Sequence, residues 1–367
     1  MKITIPAFYC PIPSRLCPLT EQADKRSLEW IERHRAYRDE AHWNNLTRTR
    51  AGFLAGYTVP DGSGEGFQIY SDFLYWLHTF DDTFCDEQTD DRRSPVRLDF
   101  LTLQLLRILE APRTRILTGH PWAQSLRDIR QRLDTCATPT QISRWKSEMA
   151  GYFLGITGEA GNRAAAAPVS MADYLLTVFY TGAMQPAFML TDVACGYEVP
   201  DEVVTSPHVR ALADLAGLIV ECDNDITSYG KETYRSSRYG FPAPQNMVAV
   251  LLNERCRGET DALEAAASFR DGLMSLFLTL SEQHTRCSDT SSTAEVYTAG
   301  LGQWIRGYLD YARTSDRFLK PANSGDPEGP VIEWPKPWTD APRETPAFLS
   351  VPFASWWRSQ VKEGKAA

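Results

Sequence analysis

The sequence predicts an all-α protein, a single-domain bundle of about a dozen helices whose functional side chains project inward from facing helices. Residues recur at helical spacing over most of the chain, as Gln141, Trp145 and Met149 do at i, i+4 and i+8. No stretch alternates apolar and polar residues convincingly, as a half-buried strand would, and no internal repeat is found. These observations favour a helical fold over mixed or β architectures.

Turn residues and apolar periodicity divide the body into helices. Glycine and proline separate several of them, as near Gly56 and Pro60, and Gly182 interrupts one long apolar helix. The predicted helices cover residues 21–40, 43–57, 67–87, 98–109, 121–137, 140–153, 173–193, 204–232, 246–253, 261–283 and 293–318.

The two ends differ in composition from this body. Residues 1–20 form a proline-rich arm that we expect to be extended, and residues 21–318 form the predicted helical domain. Residues 319–367 are rich in proline and tryptophan. This tail is either flexible, or docks through its tryptophans over the body or a partner; the sequence leaves both interpretations open.

The overall composition excludes several classes of function. The net charge of −9 argues against nucleic acid or an anionic membrane as the main partner. No apolar run is long enough for a membrane span, and the N-terminus lacks the features of a signal peptide. None of the eight cysteines forms a CxxC pair, which disfavours zinc. We therefore expect a soluble cytoplasmic protein with reduced thiols.

The first chemical motif is the stretch 224–232, NDITSYGKE. Asn224, Ser228 and Glu232 stand at i, i+4 and i+8, so on a helix they present three oxygen ligands from one face. Such a set suits a hard cation such as Mg²⁺ and leaves room for phosphate oxygens. Lys231 adds a positive charge suited to a phosphate. Taken alone, the pattern equally fits an ordinary polar helix face.

The second motif is an acidic cluster that follows the apolar run 73–80. On a helix, Asp82 and Asp86 share one face and Asp81 lies beside them. Packed carboxylates repel one another unless cations neutralise them. Together, the two motifs describe a pocket that holds a diphosphate through several Mg²⁺ ions, whereas an exposed, solvated helix end is the alternative for the acidic residues.

With both motifs in this order and at this spacing, residues 8–318 resemble the bacterial type of class I terpene synthase, or terpene cyclase. The resemblance implies ionisation of an allylic diphosphate and cyclisation of the carbocation in a central cavity, which the N-terminal arm helps to cap. It implies three Mg²⁺ ions, two of them bound by Asp81 and the third by Asn224, Ser228 and Glu232. Asp82 and Asp86 are weaker candidate ligands and would orient basic groups.

The resemblance also assigns residues around the substrate. Arg317 would donate hydrogen bonds to the diphosphate, while Phe318 replaces the tyrosine usual in the family. In the last long helix the family commonly shows Trp-x-x-Gly-Asn-x-x-Trp, where this chain has Trp304, Gly307, Tyr308 and Tyr311. Aromatic rings that face the cavity would stabilise carbocations, although such stripes often form core. The candidate rings are Trp76, Phe80, Phe179, Trp304, Tyr308 and Tyr311.

One position departs from the family pattern. In the segment 174–182, Thr181 and Gly182 match positions where a helix break turns a backbone carbonyl toward the substrate, but Val178 stands where the family has a diphosphate-sensing arginine. Three interpretations stay open: another cation replaces it, closure on the substrate is weaker, or the role of the protein is altered. The candidate replacements are Lys231, Arg317, and Arg235 or Arg238, which we place on a loop after the motif.

The leading hypothesis is a Mg²⁺-dependent cyclase of farnesyl diphosphate, with geranylgeranyl diphosphate as the alternative substrate. A catalytically weak homologue that binds prenyl diphosphate or a partner protein is a different class of hypothesis, motivated by Val178 and Phe318. A chain-elongating prenyltransferase is disfavoured, since its second metal motif would also be aspartate-rich. We expect a monomer or homodimer that engages neither nucleic acid nor membrane.

Overall fold

The computed structural model describes residues 2–86, 94–165, 169–239, 245–286, 292–320, 329–344 and 354–363. These residues form 17 α-helices, one turn of π-helix and four short strands, so the predicted all-α class is confirmed. None of the described helices combines the length and the apolar character that crossing a membrane requires. The chain divides into two compact units.

The acidic-motif unit comprises Arg15–Pro168 and Tyr180–Glu198. Its helices are α1 Thr20–His34, α2 Glu40–Thr49, α3 Ala51–Thr58, α4 Gly64–Asp81, α5 Pro95–Glu110, α6 Pro121–Cys136, α7 Pro139–Ala165, α9 Met184–Phe188 and α10 Thr191–Cys195. Helix α4 is buried along most of its length and packs against α1, α3, α6 and α10. Its central position explains why the sequence of this helix is so apolar.

The α12 unit comprises Met1–Ser14, Val169–Phe179 and Val199–Ala367. Its elements are β1 Lys2–Thr4, β2 Phe8–Tyr9, α8 Met171–Thr181 (whose last two residues belong to the other unit), α11 Asp201–Val204, α12 Pro207–Tyr239, α13 Met247–Glu254, α14 Glu259–Arg286, α15 Ser292–Ala312, α16 Asp316–Leu319, β3 Val331–Glu333, β4 Trp338–Thr339 and α17 Ala354–Glu363. Helix α12 packs against α14 and α15, which places the NDITSYGKE stretch in the middle of this unit.

The arm and the described tail residues pair as two small parallel ladders. Strand β1 pairs with β3 in the register Ile3 to Ile332, and β2 pairs with β4 in the register Phe8 to Trp338. Gly230 of α12 lets this layer approach, since a Cβ there would lie 2.4 Å from the terminal methyl of Ile332. These strands are two or three residues long, so no alternation could reveal them in the sequence.

Tryptophans of the tail pack against other residues of the α12 unit. The ring of Trp334 lies 5.5 Å from that of Phe8, and the Arg306 guanidinium lies 4.0 Å from the ring of Trp338. Trp357 on α17 is 1% exposed. The proposed domain boundaries at residues 20 and 318 stay predictions.

Several predicted helix boundaries are wrong. The predicted helix 43–57 is two helices, because Arg50 adopts a left-handed conformation with φ 53° between α2 and α3. Helix α7 continues well beyond residue 153 despite three glycines in its last turns. One of them, Gly155, is needed there, since a Cβ would lie 2.6 Å from the Cβ of Tyr180. Helix α12 also continues to Tyr239, so Arg235 and Arg238 lie on a helix and not on a loop.

The predicted last helix, 293–318, likewise ends early. Helix α15 stops at Ala312, and Ser315 caps a separate short helix, α16, by accepting from the Arg317 amide at 3.3 Å. Arg317 and Phe318 therefore do not continue the aromatic stripe of α15. A turn of four residues is too short for apolar periodicity to distinguish it from the end of a longer helix.

Candidate functional site

The three oxygen-bearing residues of the NDITSYGKE stretch lie on one face of α12, as their spacing predicts. Ser228 is completely buried, whereas Asn224 and Glu232 are half-buried. The Ser228 hydroxyl donates to Glu232 Oε1 at 2.5 Å, so these two side chains converge. An amide, a hydroxyl and a carboxylate thus present oxygen donors along a single helix face.

Two residues outside the motif orient its ends. The Tyr308 hydroxyl donates to Asn224 Oδ1 at 2.8 Å, and the Asn246 amide donates to Glu232 Oε2 at 3.0 Å. Asn246 also donates to the Asp225 carbonyl at 2.9 Å. Partners of this kind hold metal ligands in their binding orientation. No pattern in the sequence indicated Asn246, and Tyr308 was predicted for its ring and not its hydroxyl.

Asp225, the acidic residue between these ligands, has a structural role. Its Oδ2 accepts from the Tyr174 hydroxyl and from the Met247 amide, each at 2.5 Å. Burial, followed by the charge of Asp225, raises the pKa of Tyr174 well above its usual range, so this hydroxyl remains a donor. Asp225 therefore joins α12 to α8 and to the start of α13.

The donor set on α12 fits a hard divalent cation. Its ligand atoms are all oxygens, and only one side chain carries a charge, so oxygens of an anionic ligand would complete the coordination. Within the ranges that the structure describes, no group of three or more His, Cys, Asp or Glu side chains could hold a metal ion. Lys231, predicted to meet a phosphate, is buried at 3% exposure.

The acidic motif begins where α4 ends, at Asp81, which is half-buried. Asp82 to Asp86 then form one turn of π-helix in place of the regular helix that was predicted here, and the shared face of Asp82 and Asp86 stays a prediction. The side chain of Asp86 lies outside the described part of the chain.

Asp82 is held by two residues that precede α4. Its side chain is buried, and Oδ2 faces His42 Nε2 at 3.5 Å, while its carbonyl accepts from Arg38 Nη1 at 3.1 Å. His42 Nδ1 accepts from the Arg38 amide at 3.2 Å, which leaves Nε2 facing the Asp82 carboxylate. Nothing in the sequence pattern pointed to His42.

The predicted break at the end of α8 is confirmed, but its geometry differs from the expectation. Helix α8 ends at Thr181, and α9 begins at Met184. The residue with a left-handed conformation is Ala183, with φ 58°, and not Gly182. Both Thr181 and Gly182 are half-buried. The freedom of glycine to adopt positive φ therefore does not produce this break.

The remaining predicted substrate residues lie among packed rings. In the acidic-motif unit, Trp76 and Phe80 are completely buried and stack at 4.7 Å. Phe80 also lies 6.0 Å from Phe153. In the α12 unit, Val178 is 6% exposed, and the half-buried Phe179 lies 6.1 Å from Trp357 of α17.

On α15, Trp304, Tyr308 and Tyr311 are all buried. Phe318 of α16 meets Tyr308 at 6.2 Å and Tyr311 at 6.0 Å, edge to face in both pairs. Burial raises the pKa of Tyr308 well above its usual range, so its hydroxyl stays protonated. Arg317 is half-buried on α16.

The fold is helical, and the oxygen donors on α12 are of the kind that would fit a divalent metal. Residues 72–275, which include both motifs, match the model of terpene synthase family 2, C-terminal metal binding. The chain therefore belongs to the terpene synthase family and is an enzyme of that class, as the resemblance implied.

Relatives match most of the chain. Bonnadiene synthase of Allokutzneria albata is 31% identical over 97% of both proteins. The (+)-T-muurolol synthase of Streptomyces clavuligerus, named as (2E,6E)-farnesyl diphosphate cyclizing, is 31% identical over 86% of this chain and 73% of its own. The diterpene cyclase DtcycA of a Streptomyces species is 27% identical over 97% of this chain and 96% of its own. Two of these relatives match over nearly their full length, and the names of the three do not share one product.

Solved structures support the fold. The crystal structure of the SVS_A2 protein from ancestral sequence reconstruction superposes with a TM-score of 0.81 at 25% identity, covering 97% of this chain and 99% of that chain. A coverage this high includes most of both units.

Proposed function

We propose that this enzyme is a Mg²⁺-dependent terpene cyclase that ionises farnesyl diphosphate and cyclises the resulting carbocation to a sesquiterpene. The observation that carries the proposal is the convergent oxygen set of Asn224, Ser228 and Glu232, whose two end members are held by Tyr308 and Asn246. A hard cation and the oxygens of a diphosphate complete such a set.

The proposed metal ligands come from both motifs. Asn224, Ser228 and Glu232 would hold one Mg²⁺, and Asp81 would hold two more, with Asp82 and Asp86 as further acidic candidates. When bound, Mg²⁺ supplies positive charge that stabilises the departing diphosphate.

Cationic side chains would complete diphosphate binding. Val178 cannot donate a hydrogen bond, so Lys231 and Arg317 are the residues we assign to the diphosphate oxygens. Buried rings and the backbone at Thr181 and Gly182 would line the hydrocarbon and stabilise positive charge by their π faces and carbonyl groups. The rings are Trp76, Phe80, Phe179, Trp304, Tyr308 and Tyr311.

A second candidate substrate is geranylgeranyl diphosphate, which would yield a diterpene. It is supported by the diterpene cyclase relative that covers 97% of this chain. We place farnesyl diphosphate first because the relative named as farnesyl diphosphate cyclizing has the higher sequence identity, 31%, although it matches a smaller share of this chain.

The test is incubation of the purified protein with the C10, C15, C20 and C25 diphosphates plus Mg²⁺, followed by mass spectrometry of the products. We expect a cyclic hydrocarbon or alcohol from the C15 substrate that is lost with a chelator and in the double variant Asn224→Ala/Ser228→Ala. Asn253→Ala, at an exposed position on α13, is the matched control and should retain activity. Cyclisation of the C20 substrate alone would favour the diterpene candidate, and full activity of the double variant would refute the metal assignment.

A further inference from the structure

The hydroxyl of Tyr308 is the feature of α15 that the family pattern does not explain. Tyr308 is 6% exposed, and its ring lies edge to face with Tyr311 and Phe318, so the side chain is held in one position. From there its hydroxyl reaches Asn224 Oδ1 at 2.8 Å, across 84 residues of sequence. We propose that Tyr308 is a positioning residue that holds the amide oxygen of Asn224 in the orientation that binds metal.

The surrounding hydrogen bonds direct the Tyr308 proton. Its oxygen lies 3.3 Å from Thr227 Oγ1, which is the second group within reach. The Thr227 hydroxyl donates to the Asp223 carbonyl at 2.8 Å, so its proton is already committed within α12. The proton of Tyr308 is therefore the one available to Asn224 Oδ1, the closer acceptor.

Asn224 needs such a donor more than the other two proposed ligands. An amide side chain has an oxygen and an NH₂ group of nearly the same shape, and only the oxygen can bind a cation. Glu232 is held by both Ser228 and Asn246, and either face of a carboxylate presents an oxygen. The amide oxygen has two lone pairs, so it can accept from Tyr308 and still bind a metal ion.

This inference rests on the proposed metal site, and its test therefore measures metal binding and not turnover. Mn²⁺ binding is followed by electron paramagnetic resonance in the presence of inorganic diphosphate, for the full-length protein and its variants. Tyr308→Phe removes the hydroxyl and keeps the ring. We expect it to weaken Mn²⁺ binding by about 10- to 100-fold, the usual effect of removing an outer-shell partner.

Two matched variants separate positioning from a general effect on the fold. Tyr297→Phe removes a hydroxyl from another buried tyrosine of α15 and should bind Mn²⁺ as the wild type does. In an Asn224→Asp background, Tyr308→Phe should cost little further affinity, because a carboxylate has no NH₂ group to present to the metal.

The outcomes are distinguishable. Wild-type Mn²⁺ binding by Tyr308→Phe, together with loss of binding by Asn224→Ala, would overturn the role of Tyr308 and leave the proposed function intact. Equal losses of Mn²⁺ affinity from Tyr308→Phe in the wild-type and the Asn224→Asp backgrounds would also overturn the role of Tyr308, since the loss would then reflect a general effect on the fold. Absence of Mn²⁺ binding by the wild-type protein with diphosphate would overturn both proposals.

Discussion

Asn246 offers the sharpest test of how the candidate metal site is built. Its side chain makes three hydrogen bonds at once: it donates to Glu232 Oε2 and to the Asp225 carbonyl, and it accepts from the Val248 amide at 2.9 Å. The last bond caps the N-terminus of α13. One residue therefore stabilises a helix end and orients a proposed ligand, and substitutions can separate the two roles.

Asn246→Ala removes all three bonds. Loss of the cap costs about 1 kcal/mol, and leaving partners buried without a donor costs about 1–3 kcal/mol. We therefore expect the free energy of unfolding to fall by about 2–4 kcal/mol. Metal affinity should fall about 10- to 100-fold, because Glu232 loses the group that orients it.

Asn246→Ser is the matched variant, since serine also caps helices well but is too short to reach both former acceptors. Its unfolding free energy should fall by about 1 kcal/mol less than that of the alanine variant. Its metal affinity should nevertheless fall as far. Urea unfolding measures the first quantity, and Mn²⁺ titration with inorganic diphosphate measures the second.

The double role of Asn246 would be refuted if Asn246→Ser bound Mn²⁺ as tightly as the wild type. The contact to Glu232 would then contribute only to folding. It would also be refuted if the serine and alanine variants lost the same unfolding free energy, because the capping bond would then have no measurable value.

Three further predictions concern buried groups. Burial raises the pKa of Asp223 to about 6, although the positive charge of Arg270 opposes this shift. Arg270→Met removes that charge and should raise the pKa of Asp223 in the folded state further, so the folded state binds this proton more tightly than the unfolded chain does. Relative to the wild type, the variant should therefore lose free energy of unfolding as the pH rises above about 6, by up to about 1.4 kcal/mol per pH unit. Equal losses in urea unfolding at about pH 5.5 and about pH 7.5 would contradict this. Gly155→Ala places a Cβ 2.8 Å from the carbonyl carbon of Tyr180, which should cost about 1–3 kcal/mol, and an unchanged melting temperature would count against that close approach. Val178→Arg should lower the apparent KM or raise kcat if a missing cation limits the reaction, and unchanged steady-state kinetics would mean that another residue already fills the role.

Much of the helical body and one face of the site could be predicted because both depend on local spacing. Residues at i, i+4 and i+8 share a face in any regular helix, so Asn224, Ser228 and Glu232 had to lie together once α12 formed. At Asp82 the backbone leaves the regular helix for a π-helical turn, which spacing alone does not reveal. Local periodicity assumes a regular helix, and no residue in that turn signals the extra residue.

The partners of the site residues could not be predicted, because they come from distant parts of the chain. Asn246 meets Glu232 across 14 residues of sequence, and His42 meets Asp82 from a polar helix of ordinary composition. Hydrogen bonds of this kind leave no periodic trace in a single sequence. The arm and tail strands escaped prediction for a related reason, since they pair over more than 300 residues and are too short to show alternation.

Two residues that depart from the family pattern, Tyr308 and Phe318, pack against each other. The chain lacks a hydroxyl at Phe318, where the family usually has tyrosine, and carries one at Tyr308, where it commonly has asparagine, and the two rings are 6.2 Å apart. It would be natural to infer that the hydroxyl has only changed position. However, the Tyr308 proton goes to Asn224 Oδ1, so this hydroxyl does not replace a donor to the diphosphate. With Val178 also unable to donate, binding of the leaving group should depend on Lys231 and Arg317 more than the family pattern implies.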